Sequence, residues 1–268
     1  MSLPLDYAAL CEETRKIATE AGEFIYGWIN RITLQSIEIK GSNNFVTTVD
    51  KSAEAMIISR LETLVEGAGF IAEEGTNATR GERYNWVIDP LDGTTNFIHS
   101  SPPVAVSIAL IDGNEPVVAV VYEIWMKEAF YAWKGSKAWL NGKEISVSKT
   151  PDIKDSLIAT GFPYHNFDRM KGFMETINYF FNHTHGVRRL GSAATDLAYV
   201  ACGRFDGFYE YNLSPWDVAA GVLIVKQAGG RVSDFSGGDN FIFGREIVAG
   251  NKDIFEGFLQ DVGKYMNL

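Results

Sequence analysis

The segment Trp86-Val87-Ile88-Asp89-Pro90-Leu91-Asp92-Gly93-Thr94-Thr95-Asn96-Phe97 sets two carboxylates at the end of an apolar run. A strand ending at Asp89 delivers that side chain to the C-terminal edge of a sheet, where α/β proteins place their ligand sites. Pro90 removes a ladder donor and turns the chain, so that Asp92 can converge with Asp89. Gly93 permits close backbone approach, and a helix beginning at Thr94 or Thr95 turns free N–H groups toward an anion. Two converging carboxylates repel each other and any anion bound beside them. A hard divalent cation resolves the conflict, because its oxygen shell takes carboxylate and phosphate oxygens alike. No Lys or Arg occurs in residues 88–97 to serve instead. A turn in which the two acids merely cap backbone groups would explain a bare Asp-x-x-Asp. The complete Asp-Pro-Leu-Asp-Gly-Thr-Thr string behind a buried strand favours the metal.

Four further acids stand at element ends. Glu73-Glu74 follows the apolar run Phe70-Ile71-Ala72; taken alone, such a pair reads as a solvated loop. Asp217 in Ser214-Pro215-Trp216-Asp217 reads as the acid of a helix start, with Ser at the N-cap and Pro at N1. Asp50 has the same explanation as an N-cap. The set argues otherwise, since all of them accompany a phosphate-type turn in one chain.

The elements that must carry these residues follow from hydrophobic spacing. A first helix is predicted from Leu5 to about Ile29, and a second from Asp50 to a stop at Gly67. A β-prone run, Asn44–Val49, lies between them, and short buried strands are predicted at Phe70–Ala72 and Trp86–Ile88. From Val104 to about Ser148 a meander is expected, with turns at Asp112-Gly113, Lys134-Gly135 and Asn141-Gly142. Thr150-Pro151-Asp152 divides the chain into an α+β lobe, residues 1–150, with most of the acids, and an α/β lobe, residues 151–268, with Asp217. A helix from Ser214-Pro215 to Gly229-Gly230 is apolar almost all round and should lie between layers.

With 268 residues, 46% of them hydrophobic and 22% charged, the chain can bury a large core. Its net charge of −10 and pI near 4.9 disfavour nucleic acid and acidic membranes as partners. No membrane span or secretory signal is read from the sequence, and a cytoplasmic location is expected. Cys11 and Cys202 have no metal-type spacing and are expected to be free buried thiols.

Taken in order, Val46-Thr47-Thr48-Val49-Asp50, Ile71-Ala72-Glu73-Glu74-Gly75, Trp86–Phe97, Gly191-Ser192-Ala193-Ala194, Gly203–Glu210 and Leu213–Gly221 resemble the inositol monophosphatase family, within the lithium-sensitive phosphatases. The resemblance runs from about residue 5 to 260, and Trp86–Phe97 is its most specific part. It implies an α/β/α/β/α layered sandwich, a homodimer and hydrolysis of a small phosphorylated polyol, most closely inositol monophosphate, with two to three Mg2+ ions. By the same resemblance Glu73, Asp89 and the Leu91 carbonyl hold one ion, and Asp89, Asp92 and Asp217 a second. Thr94, bonded to Asp50, positions the attacking water, and the amides of Gly93 and Thr94 bind phosphate. Asp92, Ala193 and Glu210 contact the ring hydroxyls. The stretch Ala159–Tyr164 is closer to the bacterial branch of the family than to the animal one.

Charge counting points the same way: the four acids and a phosphate dianion sum to −6, which three divalent cations neutralise. Fructose 1,6-bisphosphate, a nucleotide 3′-phosphate and histidinol phosphate are rival substrates for the same chemistry. A regulatory binding protein on the same fold is the rival of another class. His183 and His185 lack a third ligand nearby and are read as part of an exposed loop, His99 is assigned no role, and Phe205, Phe208, Tyr209 and Tyr211 are read as core or dimer contacts.

Overall fold

The computed structural model describes residues 5–31, 37–41, 44–77, 79–163 and 167–266, of which 37–41 and 44–47 are described by backbone alone. The chain opens with α1 (Tyr7–Tyr26), whose N-cap Asp6 accepts the amides of Ala8 and Ala9 at 3.0 and 3.1 Å. Such a cap contributes about 1 kcal/mol. A hairpin of β1 (Ile37–Gly41) and β2 (Asn44–Thr47) leads into α2 (Thr48–Leu61). Asp50 is thus not the N-cap of α2 but a buried residue of its first turn. The helix also ends earlier than predicted: turns follow Leu61, and Gly67, at φ +74°, closes them.

A seven-stranded sheet comes next. It holds β3 (Gly69–Ala72), β4 (Tyr84–Asp92), β5 (Ala105–Asp112), β6 (Glu115–Glu123), β7 (Glu128–Trp133), β8 (Ala138–Leu140) and β9 (Lys143–Ile145), ordered as in the sequence. β3 is parallel to β4, and the rest are antiparallel neighbours. Period-two alternation gives the sheet two apolar faces. Val106, Ile108 and Leu110 of β5 pack with α1 and α2, whereas Ala105 and Ala109 face the other way. The three predicted turns are present, with Gly113, Gly135 and Gly142 at positive φ.

The second sheet runs β11-β10-β12-β14-β13, from β10 (Leu157–Thr160), β11 (Gly186–Arg188), β12 (Gly207–Tyr211), β13 (Arg231–Ser233) and β14 (Glu246–Gly250). Between the sheets lie α5 (Ala193–Ala201) and α6 (Pro215–Gln227). One hydrophobic core takes in Val87 and Ala109 of the first sheet, Phe208 and Ala249 of the second, and both helices. Small residues set the spacing: a Cβ on Gly221 of α6 would stand 2.5 Å from Leu197 of α5. On the outer face of the second sheet, α4 (Met170–His183) and α7 (Phe255–Met266) pack with Phe180, Tyr209 and Phe258. The layers are therefore α/β/α/β/α, as the family resemblance implies.

Phe205, Phe208, Tyr209 and Tyr211 are all core residues. His183 ends α4 stacked on Tyr179 rather than standing in a loop. Both cysteines are free; Cys11 is buried but Cys202 only half-buried. No helix among the described residues is long and apolar enough to cross a membrane.

Candidate active site

The strand that carries Asp89 does not stop there. β4 continues through Pro90 and Leu91 to Asp92, and its register against β5 breaks between Asp89 and Asp92. Pro90 has no amide to give β5, so the irregularity falls where a donor is missing. The Leu91 amide donates to Asp89 Oδ1 at 2.9 Å and fixes that carboxylate inside the turn. Gly93 follows at φ +94°, where a Cβ would approach the Pro103 carbonyl to 2.9 Å, so glycine alone fits. It is the N-cap of α3 (Thr94–Ile98), a single short helix whose first amides have no intrahelical acceptor.

A cavity of about 180 Å³ opens here, between the two sheets and the first turns of α3, α5 and α6. Glu73, Asp89, Leu91, Asp92, Gly93, Thr94, Ala193, Glu210 and Asp217 all line it. Every sequence-predicted site residue except Asp50 is therefore at its wall. Asp50 stands behind that wall, 1% exposed, and accepts the Thr94 hydroxyl at 3.2 Å. Gly161, Phe162 and Pro163 line it too, while Tyr164 lies outside the described residues.

Protein donors orient two more of the acids. Asp92 Oδ2 accepts the Ser192 hydroxyl at 2.6 Å and the Ala194 amide at 2.8 Å, at the start of α5. Asp217 Oδ2 accepts the Ser214 amide at 2.7 Å, closing the capping box of α6. The capping reading of Asp217 is thus correct as geometry, and the same side chain still reaches the cavity.

Burial leaves these acids poorly solvated. It pushes Asp89 well above the carboxylate range, and the charges of Glu73, Asp92 and Asp217 add to the effect. Asp92 rises to about 6, mainly through burial, against the pull of its Ser192 and Ala194 donors. Burial and then the Asp92 charge raise Asp217 to about 7, opposed by the Ser214 amide and Arg245. Glu210 is also well above its ordinary value through burial and the charges of Asp217 and Asp92, with Arg189 opposing.

Among the described residues, no group of three or more His, Cys, Asp or Glu side chains is arranged to hold a metal ion as it stands. Asp89, Asp92 and Asp217 each give one oxygen to the protein, and the acids repel one another. The donor set nevertheless fits a hard divalent cation. It consists of carboxylates and the Leu91 carbonyl, all oxygen, around one small cavity.

Sequence reasoning missed four participants. Arg189 and Arg245 line the cavity from distant segments, so guanidinium charge is available that residues 88–97 lack. Asp196, in the first turn of α5, is 1% exposed and raised well above its ordinary value by burial, then by Glu210 and Asp92. Glu54 is wholly buried on α2, one turn beyond Asp50, a helical spacing that could have revealed it.

Comparison with known proteins identifies the family. The Inositol monophosphatase family matches residues 6–267. The chain is 40% identical over 256 residues to the Nus factor SuhB of Pseudomonas aeruginosa, covering 94% of each. It is 38% identical over 259 residues to the inositol-1-monophosphatase of Mesorhizobium japonicum, covering 96% of this chain and 97% of that one. The Thermotoga maritima IMPase structure superposes with a TM-score of 0.86 at 32% identity, over 95% of this chain and 96% of that one. The chain belongs to the inositol monophosphatase family.

Proposed function

We propose that this chain is a magnesium-dependent phosphatase that hydrolyses inositol monophosphate to inositol and phosphate. The observation that carries the reading is the placement of Thr94. Its hydroxyl is bonded to buried Asp50 on one side, and its residue lines the acid-walled cavity on the other.

Glu73, Asp89, Leu91, Asp92 and Asp217 would hold the cations, two to three in number. When bound, they supply positive charge to the phosphate and make water acidic enough to attack at neutral pH. The chain's own residues do the rest. Asp50 takes up hydrogen-bonding capacity of the Thr94 hydroxyl, which leaves that oxygen as an oriented acceptor for the attacking water's proton. The amides of Gly93 and Thr94 receive phosphate oxygens. Asp92, Ala193 and Glu210 meet the ring hydroxyls, and a carboxylate suits adjacent hydroxyls because it accepts from both. No covalent enzyme intermediate is required, since phosphoryl transfer is mostly positioning and charge stabilisation. Arg189 and Arg245 add guanidinium charge to the same cavity, which lowers the cation charge needed to balance the acids and a phosphate dianion. A homodimer belongs to the same reading and rests on the family resemblance, and a cytoplasmic location rests on the sequence features noted above.

The test is phosphate release from inositol 1-phosphate, fructose 1,6-bisphosphate and a nucleotide 3′-phosphate, with magnesium and after chelation. Inositol 1-phosphate should give the highest kcat/KM, and chelation should abolish turnover. Full activity after exhaustive chelation would falsify the metal reading. A second reading, that the chain serves as a Nus factor, is favoured by its 40% identity to a protein of that name. The net charge of −10 directs such a role toward protein rather than nucleic-acid contacts.

A further inference from the structure

Glu54 has a fully buried side chain, and its two oxygens are given to one short loop. Oε2 accepts the Glu74 amide at 2.8 Å, and Oε1 accepts the Thr76 amide at 2.7 Å. Gly75 lies between those amides at φ +69°. A residue of positive φ flanked by two N–H groups forms a concave nest for an anion, and Glu54 fills it. The loop is held from its other side too, because the Glu73 amide donates to the Ile88 carbonyl at 3.2 Å, next to Asp89.

The same helix face carries Asp50, since residues four apart on α2 lie one above the other. One rigid element thus holds the partner of the Thr94 hydroxyl and, one turn on, the anchor of the loop that presents Glu73 to the cavity. We propose that Glu54 is a positioning residue for cation binding: it holds Glu73 against Asp89 and fixes the loop's distance from the Asp50–Thr94 pair. The inference rests on the metal-dependent reading of the site.

Only a carboxylate fits the nest. Glu54→Gln would keep one acceptor and aim an NH2 donor at an amide donor. Glu54→Asp would keep the chemistry but shorten the reach by one methylene.

The probe is Mn2+ alone, titrated into the chelated full-length chain, with free ion counted by its EPR signal. A melting curve of each metal-free protein accompanies it. Glu54→Gln should weaken Mn2+ binding about tenfold, the usual scale for losing a group that orients a metal ligand. The magnesium concentration for half-maximal turnover should rise by a similar factor, and Glu54→Asp should recover part of both losses. If Glu54→Gln does not fold, Glu54→Asp alone decides, with weaker Mn2+ binding than wild type expected. A lower melting temperature with an unchanged Mn2+ isotherm in the folded variant would make Glu54 a stability residue and overturn the inference. A wild-type chain that binds no Mn2+ would instead remove the metal reading on which it rests.

Discussion

The Thr94 hydroxyl oxygen stands 3.2 Å from Asp50 Oδ1 and 3.2 Å from the Leu91 carbonyl oxygen. A hydroxyl has one proton, so it serves one of these acceptors at a time while its lone pairs remain for water. Thr94→Ala and Asp50→Asn should each lower kcat by about 10²-fold or more, with much smaller changes in KM. The double variant should be far less impaired than the product of the two single effects, because either change alone disables the pair. Steady-state kinetics on the four proteins measures this. Multiplicative losses would separate the two residues.

Gly161 bears on the other end of the cavity. A Cβ built there falls 2.1 Å from the Glu210 carboxyl group, so Gly161→Ala must displace that carboxyl. A hydrogen bond to a charged group contributes about 1.5–3 kcal/mol. KM for inositol 1-phosphate should therefore rise about tenfold or more, with kcat less affected. An aryl phosphate, which has no ring hydroxyls, should respond little. Equal responses to both substrates would remove Glu210 from substrate recognition.

The parts of this site readable in the sequence are those whose chemistry is local. The convergence of Asp89 with Asp92 and the cap in Ser214-Pro215-Trp216-Asp217 were legible, although the strand expected to end at Asp89 runs on to Asp92. Asp196 was not, because a polar residue on a helix looks solvated until the layers on both sides are known. Here α5 lies between two sheets, and the side chain is 1% exposed. Arg189 and Arg245 sit outside any periodic pattern, and only the second sheet's topology brings them to the first sheet's acids. The start of α2 was misplaced for a different reason. Asp50 is a good N-cap type, yet burial against Thr94 places it inside the first turn.

The raised acids make a pH prediction for the metal-free chain. Unfolded Asp and Glu titrate near ~4, whereas folded Asp92 and Asp217 are held at about 6 and about 7. Between those limits the native state binds more protons than the unfolded chain, so the derivative of unfolding free energy with pH is negative. The contribution is fully present below the unfolded values and is lost as pH rises through the folded ones. The chelated protein should melt at progressively lower temperature from about pH 5 to about pH 8. Magnesium should offset the loss at the upper end, where the carboxylates are free to bind it. Melting curves across this range, with and without the ion, are the check. A melting temperature that climbs throughout the window without metal would mean that burial does not hold Asp92 and Asp217 above the ordinary carboxylate range.

Asp217 separates helix capping from cation binding, because one carboxylate is placed for both. Its Oδ2 accepts the Ser214 amide, while its residue lines the cavity with Glu73, Asp89 and Asp92. Asn can accept the same amide, and even complete loss of a cap costs only ~1 kcal/mol. A purely structural Asp217 would therefore tolerate Asp217→Asn with activity nearly intact. If it is a ligand, the substitution removes one of four mutually repelling acids, so the metal-free variant should melt at the same temperature as wild type or higher. Magnesium should then stabilise it less. An ion at 100 times its dissociation constant adds ~2.7 kcal/mol, and a weakened site returns a smaller shift. Turnover should fall by orders of magnitude, as charge stabilisation of the leaving oxygen is lost. Melting curves with and without magnesium, paired with turnover on both proteins, make the comparison. Near-wild-type turnover with an undiminished magnesium shift would leave Asp217 as a cap alone and remove the second cation position from the site.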